Sequence, residues 1–72
     1  MKEFDLHKAK MGAEVCTREG GYAKITTFDS GSEIFPITAI FQQYGYEVKD
    51  GFTNKGTYWS DGEECVYDLM LK

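Results

Sequence analysis

The side chains in this sequence that could react are few. His7 is the only histidine, and Cys16 and Cys65 are the only thiols. Hydrolase-type catalysis needs a base held against a nucleophile and oriented by a third group. No local motif marks Cys16, Cys65 or any serine as activated, and His7 falls in a short helical stretch without supporting partners. The chain is therefore expected not to be an enzyme and to have no catalytic residue. A structural zinc site takes about four Cys or His ligands, and this sequence has three in total. Asp61, Glu63, Glu64 and Asp68 offer carboxylate oxygens, but not at the spacing of a calcium-binding loop. They read as a solvated acidic turn. Glu19-Gly20-Gly21 precedes a strand rather than a helix, so it offers no helix N-terminus to a phosphate. No metal and no cofactor is expected.

The chemistry that the sequence does favour is recognition. Phe41, Tyr44, Tyr46, Phe52, Tyr58 and Trp59 fall within what reads as one hairpin. A small core cannot hide all six, and Trp and Tyr left partly exposed suit binding sites. The expected binding residues are Tyr58 and Trp59 with the neighbouring Asp61. Arg18 joins them as a lone guanidinium beside a hairpin tip.

Composition narrows the partner. Net charge is −4, and the seven lysines are scattered beside a single arginine. Such a balance argues against nucleic acid, whose phosphates call for clustered Lys and Arg. The acidic excess lies in the second half, at Glu47, Asp50, Asp61, Glu63, Glu64 and Asp68. No apolar run approaches the roughly 20 residues that span a bilayer. The opening Met1–Asp5 lacks the apolar stretch of a signal peptide. The expected compartment is thus the cytoplasm, with no membrane partner and with Cys16 and Cys65 reduced. The whole chain, 1–72, reads as a single small β domain. At this length folding hides only about 60% of the unfolded surface, so self-association into a homo-oligomer is a natural support.

The elements that must carry these residues are mostly strands. Asp5 can cap a helix of one to two turns that ends at Gly12. Glu14–Arg18 and Tyr22–Phe28 read as a hairpin across Glu19-Gly20-Gly21. Ile34–Phe41 is the most apolar run, with Pro36 at its start, at a bulge or on an open edge. Gln42-Gln43 reads as a polar break. Tyr44–Thr53 follows as one long strand with a bulge at Gly51, then a tip at Asn54-Lys55-Gly56 and a short strand Thr57–Trp59. Val66–Leu71 closes the chain. The predicted fold class is mainly β, a single antiparallel meander of about five strands curling into a partly open barrel, with a short N-terminal helix.

Several pieces, in order, are similar to a known pattern. They are Phe4-Asp5-Leu6, Lys8-Ala9-Lys10, Gly12, Val15-Cys16-Thr17-Arg18-Glu19-Gly20, Phe35-Pro36-Ile37, Thr53–Tyr58, Asp61–Glu64 and Tyr67–Met70. Together they resemble small uncharacterised β-rich proteins of gut bacteria, their prophages and phages, which open with a short helix and a V-C-T-R-[DE]-G hairpin. Gly21 departs from the pattern, which has a polar or basic residue there. The resemblance implies a β-rich domain linked to a phage or mobile element and brings no activity with it. The expectation is a non-enzymatic protein-interaction module of that type, recognising a host protein or self-associating. The alternative is a protein that sequesters a nucleotide or metabolite in a pocket between subunits.

Overall fold

The computed structural model describes all 72 residues. Its elements in chain order are β1 (Lys2–Glu3), α1 (Leu6–Lys10), β2 (Val15–Thr17), β3 (Ala23–Thr27), β4 (Ile37–Gln43), β5 (Tyr46–Phe52) and β6 (Leu69–Leu71). They form two three-stranded antiparallel sheets. One runs β1-β6-β2, with the C-terminal strand in the middle, and the other is the meander β3-β4-β5.

The helix forms where its cap dictates. Asp5 is extended and its Oδ1 accepts from the Lys8 N–H at 3.1 Å. Gly12, at φ +99°, supplies the left-handed stop, and the Ala13 N–H closes onto the Lys8 carbonyl at 3.0 Å. Only Ala9 of the helix is buried. A helix this short depends on packing, which Phe4 and Leu6 provide against the core.

The core lies between the sheets. Ile37, Ala39 and Phe41 on β4 and Phe52 at the end of β5 are fully buried, with Val15, Leu69 and Leu71 from the other sheet. Pro36 stands immediately before β4, where its missing N–H costs no ladder bond. Phe41 meets Phe52, Tyr58 and Tyr67 at ring-centroid distances of 5.5, 6.2 and 5.3 Å.

The barrel does not form. Sheet closure needs continuous pairing, and between β2 and β3 there is one isolated bridge, Cys16 with Tyr22. Beyond that bridge the two strands part, leaving an open groove of about 640 Å³ lined by residues such as Val15, Ala23, Ile25 and Phe28. Strands of two and three residues in the first sheet are too short to wrap.

The second hairpin differs from the sequence reading as well. Gln42 and Gln43 belong to β4, and the tip is the two-residue turn Tyr44-Gly45, closed by the pair Gln43–Tyr46. Both tip residues have positive φ, 51° and 81°, the geometry that matches strand twist in a tight hairpin. Asp50-Gly51 lies inside an unbroken ladder, with Gly51 opposite Thr38 and no bulge. Glycine is required there because a Cβ would meet that of Phe35 at 2.8 Å. Asn54-Lys55-Gly56 is a turn, closed by the Gly56 N–H on the Thr53 carbonyl at 2.9 Å. No strand follows it. Residues 53–68 are irregular, and Val66 and Tyr67 fall outside β6. No helix is long and apolar enough to cross a membrane.

Candidate functional site

The irregular segment 53–68 carries Tyr58, Trp59 and Asp61, and its shape is set by Asp68. This carboxylate is buried, with 1% of its surface exposed. Its Oδ1 accepts from the Tyr58 N–H at 2.8 Å. Its Oδ2 accepts from the Cys65 N–H at 3.0 Å and from Arg18 Nε and Nη2 at 3.3 and 3.2 Å. The backbone joins in: the Arg18 N–H donates to the Asp68 carbonyl at 2.8 Å, and the Leu69 N–H to the Gly56 carbonyl at 2.8 Å. Thr57–Trp59 is not a strand because the Gly51 N–H, which would continue the ladder, bonds Asp50 Oδ1, and the Trp59 carbonyl accepts instead from Thr57 Oγ1. The pairing that began with the Thr53 N–H on the Thr57 carbonyl stops there.

Arg18 therefore sits beside the loop and is occupied. Its guanidinium is paired with Asp68, and Nη1 lies 3.7 Å from Glu64. The sequence reads it as a lone guanidinium beside a hairpin tip; the structure pairs it with Asp68, where it braces the loop. Asp68 was grouped with solvated acids, and burial corrects that. One signal was available, since Asp68 is the only charge in Val66–Leu71 and lies between core residues.

Tyr58 is half-buried and fixed on several sides. Its ring packs against Phe52 and Tyr67 at 5.8 and 5.9 Å, and its hydroxyl donates to Asp50 Oδ2 at 3.0 Å. Burial, then the bond to Asp50, pushes its phenol pKa above the usual 10. Trp59 stands edge-to-face on Tyr58 at 4.9 Å, and 51% of its surface stays exposed. It opens a turn closed by the Gly62 N–H on its carbonyl at 3.2 Å. Asp61 lies in that turn, exposed, with Oδ1 accepting from the Glu63 N–H at 2.9 Å. Of the six aromatics taken as one cluster, Phe41 and Phe52 are core. Tyr44 and Tyr46 lie exposed at the β4–β5 tip, away from the core rings. The two thiols are free, Cys16 buried and Cys65 half-buried. No three His, Cys, Asp or Glu side chains converge as a metal site.

A family model described as Haemophilus phage HP1 protein YO09 matches residues 1–70. The chain belongs to this phage protein family. Comparison with curated proteins and with solved structures gives no match. The family match spans β1 to β6 almost entirely, so Arg18, Tyr58, Trp59, Asp61 and Asp68 all fall within the YO09-like region. It makes this a small phage-type protein.

Proposed function

We propose that this member of the YO09 family is a non-enzymatic interaction module that binds a host protein through a ledge formed by Trp59 on Tyr58. The observation that carries this is a half-exposed indole on a fixed platform. Tyr58 is tied through its N–H, its hydroxyl and three neighbouring rings, while about half of the Trp59 surface is left to solvent. A side chain ordered before binding loses less entropy on association, and tryptophan is the residue most often found at the energetic centre of an interface. Asp61, Glu63 and Glu64 follow Trp59 in the chain, all exposed, and suit a partner with a basic border. Arg18 contributes by holding the loop through Asp68.

The test is capture from host-cell lysate with the wild-type chain, followed by binding measurements with the captured protein. Trp59→Ala is expected to weaken binding about 30-fold, the loss typical of a central tryptophan. Asp61→Ser should weaken it only a few-fold, as a rim charge does. Equal binding by wild type and Trp59→Ala would refute the ledge. A second reading, sequestration of a nucleotide or metabolite between subunits, draws on the groove between β2 and β3, which is open along one side. A thermal shift with such a ligand, lost on filling the groove by Ala23→Phe, would support it.

A further inference from the structure

The outer edge of the β3-β4-β5 sheet has not entered the function above. β5 is paired on one side only, with β4. Across a two-residue turn the closing pair, here Gln43 and Tyr46, exchanges both hydrogen bonds. Alternation along an antiparallel ladder then directs the N–H and C=O of Tyr46, Val48, Asp50 and Phe52 towards β4. It directs those of Glu47, Lys49 and Gly51 outwards. The outward N–H of Gly51 is taken by its neighbour's Asp50 Oδ1 at 2.8 Å. Glu47 and Lys49 make no such bond. The strand is seven residues long, without proline and without a register shift. Proteins usually blunt such an edge with proline, a bulge or charge, because it templates pairing with another chain; β5 has only charge, and of both signs, at Glu47, Lys49 and Asp50.

We propose that β5 pairs antiparallel with β5 of a second copy of this chain, about a two-fold axis at Val48. Outward-facing residues must form the hydrogen-bonded pairs, so the two-fold falls on a residue of β5; with the Gly51 N–H already bonded, the registers centred on Glu47, Val48 and Lys49 are compared. A two-fold at Glu47 sets glutamate against glutamate. A two-fold at Lys49 sets lysine against lysine. The Val48 register alone sets Glu47 opposite the partner's Lys49, and does so twice. It joins the two meanders into one six-stranded sheet, β3-β4-β5-β5-β4-β3. Charge complementarity thus names both the occupant and the register: the edge fits itself. The test residues here, Glu47 and Lys49, lie outside the Trp59–Tyr58 pair, although the Tyr58 hydroxyl bonds Asp50 of the same strand, so substitution at either place leaves the residues of the other intact.

Sedimentation equilibrium from micromolar to millimolar concentration tests it. Wild type is expected to be a monomer–dimer equilibrium. Lys49→Glu puts glutamates opposite each other at both pairs, and Glu47→Lys does the same with lysines. Each should weaken the dimer roughly ten- to thirty-fold, from the cost of turning two unlike cross-strand pairs into like ones. Net charge moves oppositely in the two variants, from −4 to −6 and to −2, so general repulsion cannot mimic both losses. The double swap E47K/K49E restores unlike pairs and should recover wild-type affinity, as should an equimolar mixture of the two single variants. Both side chains are exposed, and circular dichroism checks that all variants fold. A wild type that stays monomeric throughout overturns the proposal. So does a dimer indifferent to these charges, which places the interface elsewhere, or a swap that fails to recover.

Discussion

Replacing Asp68 should be among the most damaging polar substitutions in this chain, and the structure says by how much. Asp68→Asn keeps the shape but presents one acceptor where the carboxylate presents two. If the amide oxygen stays on the Tyr58 N–H, its NH2 faces the donors of Cys65 and Arg18. If it flips, the Tyr58 N–H is opposed instead. One buried donor left unpaired costs about 1–3 kcal/mol, and a lost charge-assisted bond adds to it. Arg18 is 36% exposed at its side chain, so water can replace part of what it loses, and its share is discounted. The sum is about 2–4 kcal/mol, from a total near 4–11 kcal/mol for a chain of this size. In melting temperature that is a drop of roughly 10–25 °C. Arg18→Gln leaves the carboxylate its two backbone donors but removes its part-exposed countercharge, and should cost less, about 1–2 kcal/mol. The double variant should cost little more than Asp68→Asn alone, because the arginine has no anion left to brace. Urea denaturation of the four proteins decides. A loss below about 1 kcal/mol for Asp68→Asn, or an equal loss for Arg18→Gln, would refute the claim that the backbone bonds of this carboxylate shape the loop.

Two further outcomes follow from the same geometry. Gly56→Ala builds a Cβ 2.6 Å from Phe4 Cγ at φ +81°, whereas Gly12→Ala meets nothing within 4 Å at φ +99°. The first should therefore cost clearly more than the backbone strain of about 1–2 kcal/mol that both share, and equal losses in denaturation would show that Phe4 does not rest on Gly56. The phenol of Tyr58 is raised by burial and then by Asp50, so the folded state holds its proton more tightly than the unfolded state. Its contribution is fully present below pH about 10, the unfolded value, and is lost as pH rises through the folded value. Tyr58→Phe should flatten that alkaline decline in stability, and an unchanged slope would refute the assignment.

Much of the fold was legible because it rests on local chemistry. Asp5 announced the helix start and Gly12 its stop, and the most apolar run, Ile34–Phe41, marked β4, which begins only after Pro36. The second hairpin was misread because its tip, Tyr44-Gly45, lacks an asparagine or aspartate, while Asp50-Gly51 and Asn54-Lys55-Gly56 offered stronger turn signals. What decides between them is tertiary: Phe35 lies where a side chain at 51 would be, and Phe4 where one at 56 would be. The ledge was half legible. Tyr58 and Trp59 stood out by type, but the role of Arg18 could not be read without Asp68, fifty residues away. The two-residue strand β1 gave no signal, since it exists only by pairing with β6.

The long irregular segment is the part of the chain that ladder pairing explains least. Connections above about 12–15 residues without secondary structure are uncommon in compact domains, and those that persist are usually functional. Here residues 53–68 have no ladder to hold them, and a 72-residue core has little apolar area to spare. The chain instead inserts a buried carboxylate, whose desolvation is itself unfavourable, and satisfies it with two loop N–H groups and its single arginine. If stability alone shaped this region, a short hairpin return after Phe52 would serve better: it would bury no charge and order fewer residues. What the costlier arrangement provides is a hydrogen-bonded loop that leaves Trp59 half-exposed, packed on Tyr58. That asymmetry, a stabilising network spent on a segment that presents an indole to solvent, is the physical reason to look for the partner at this face.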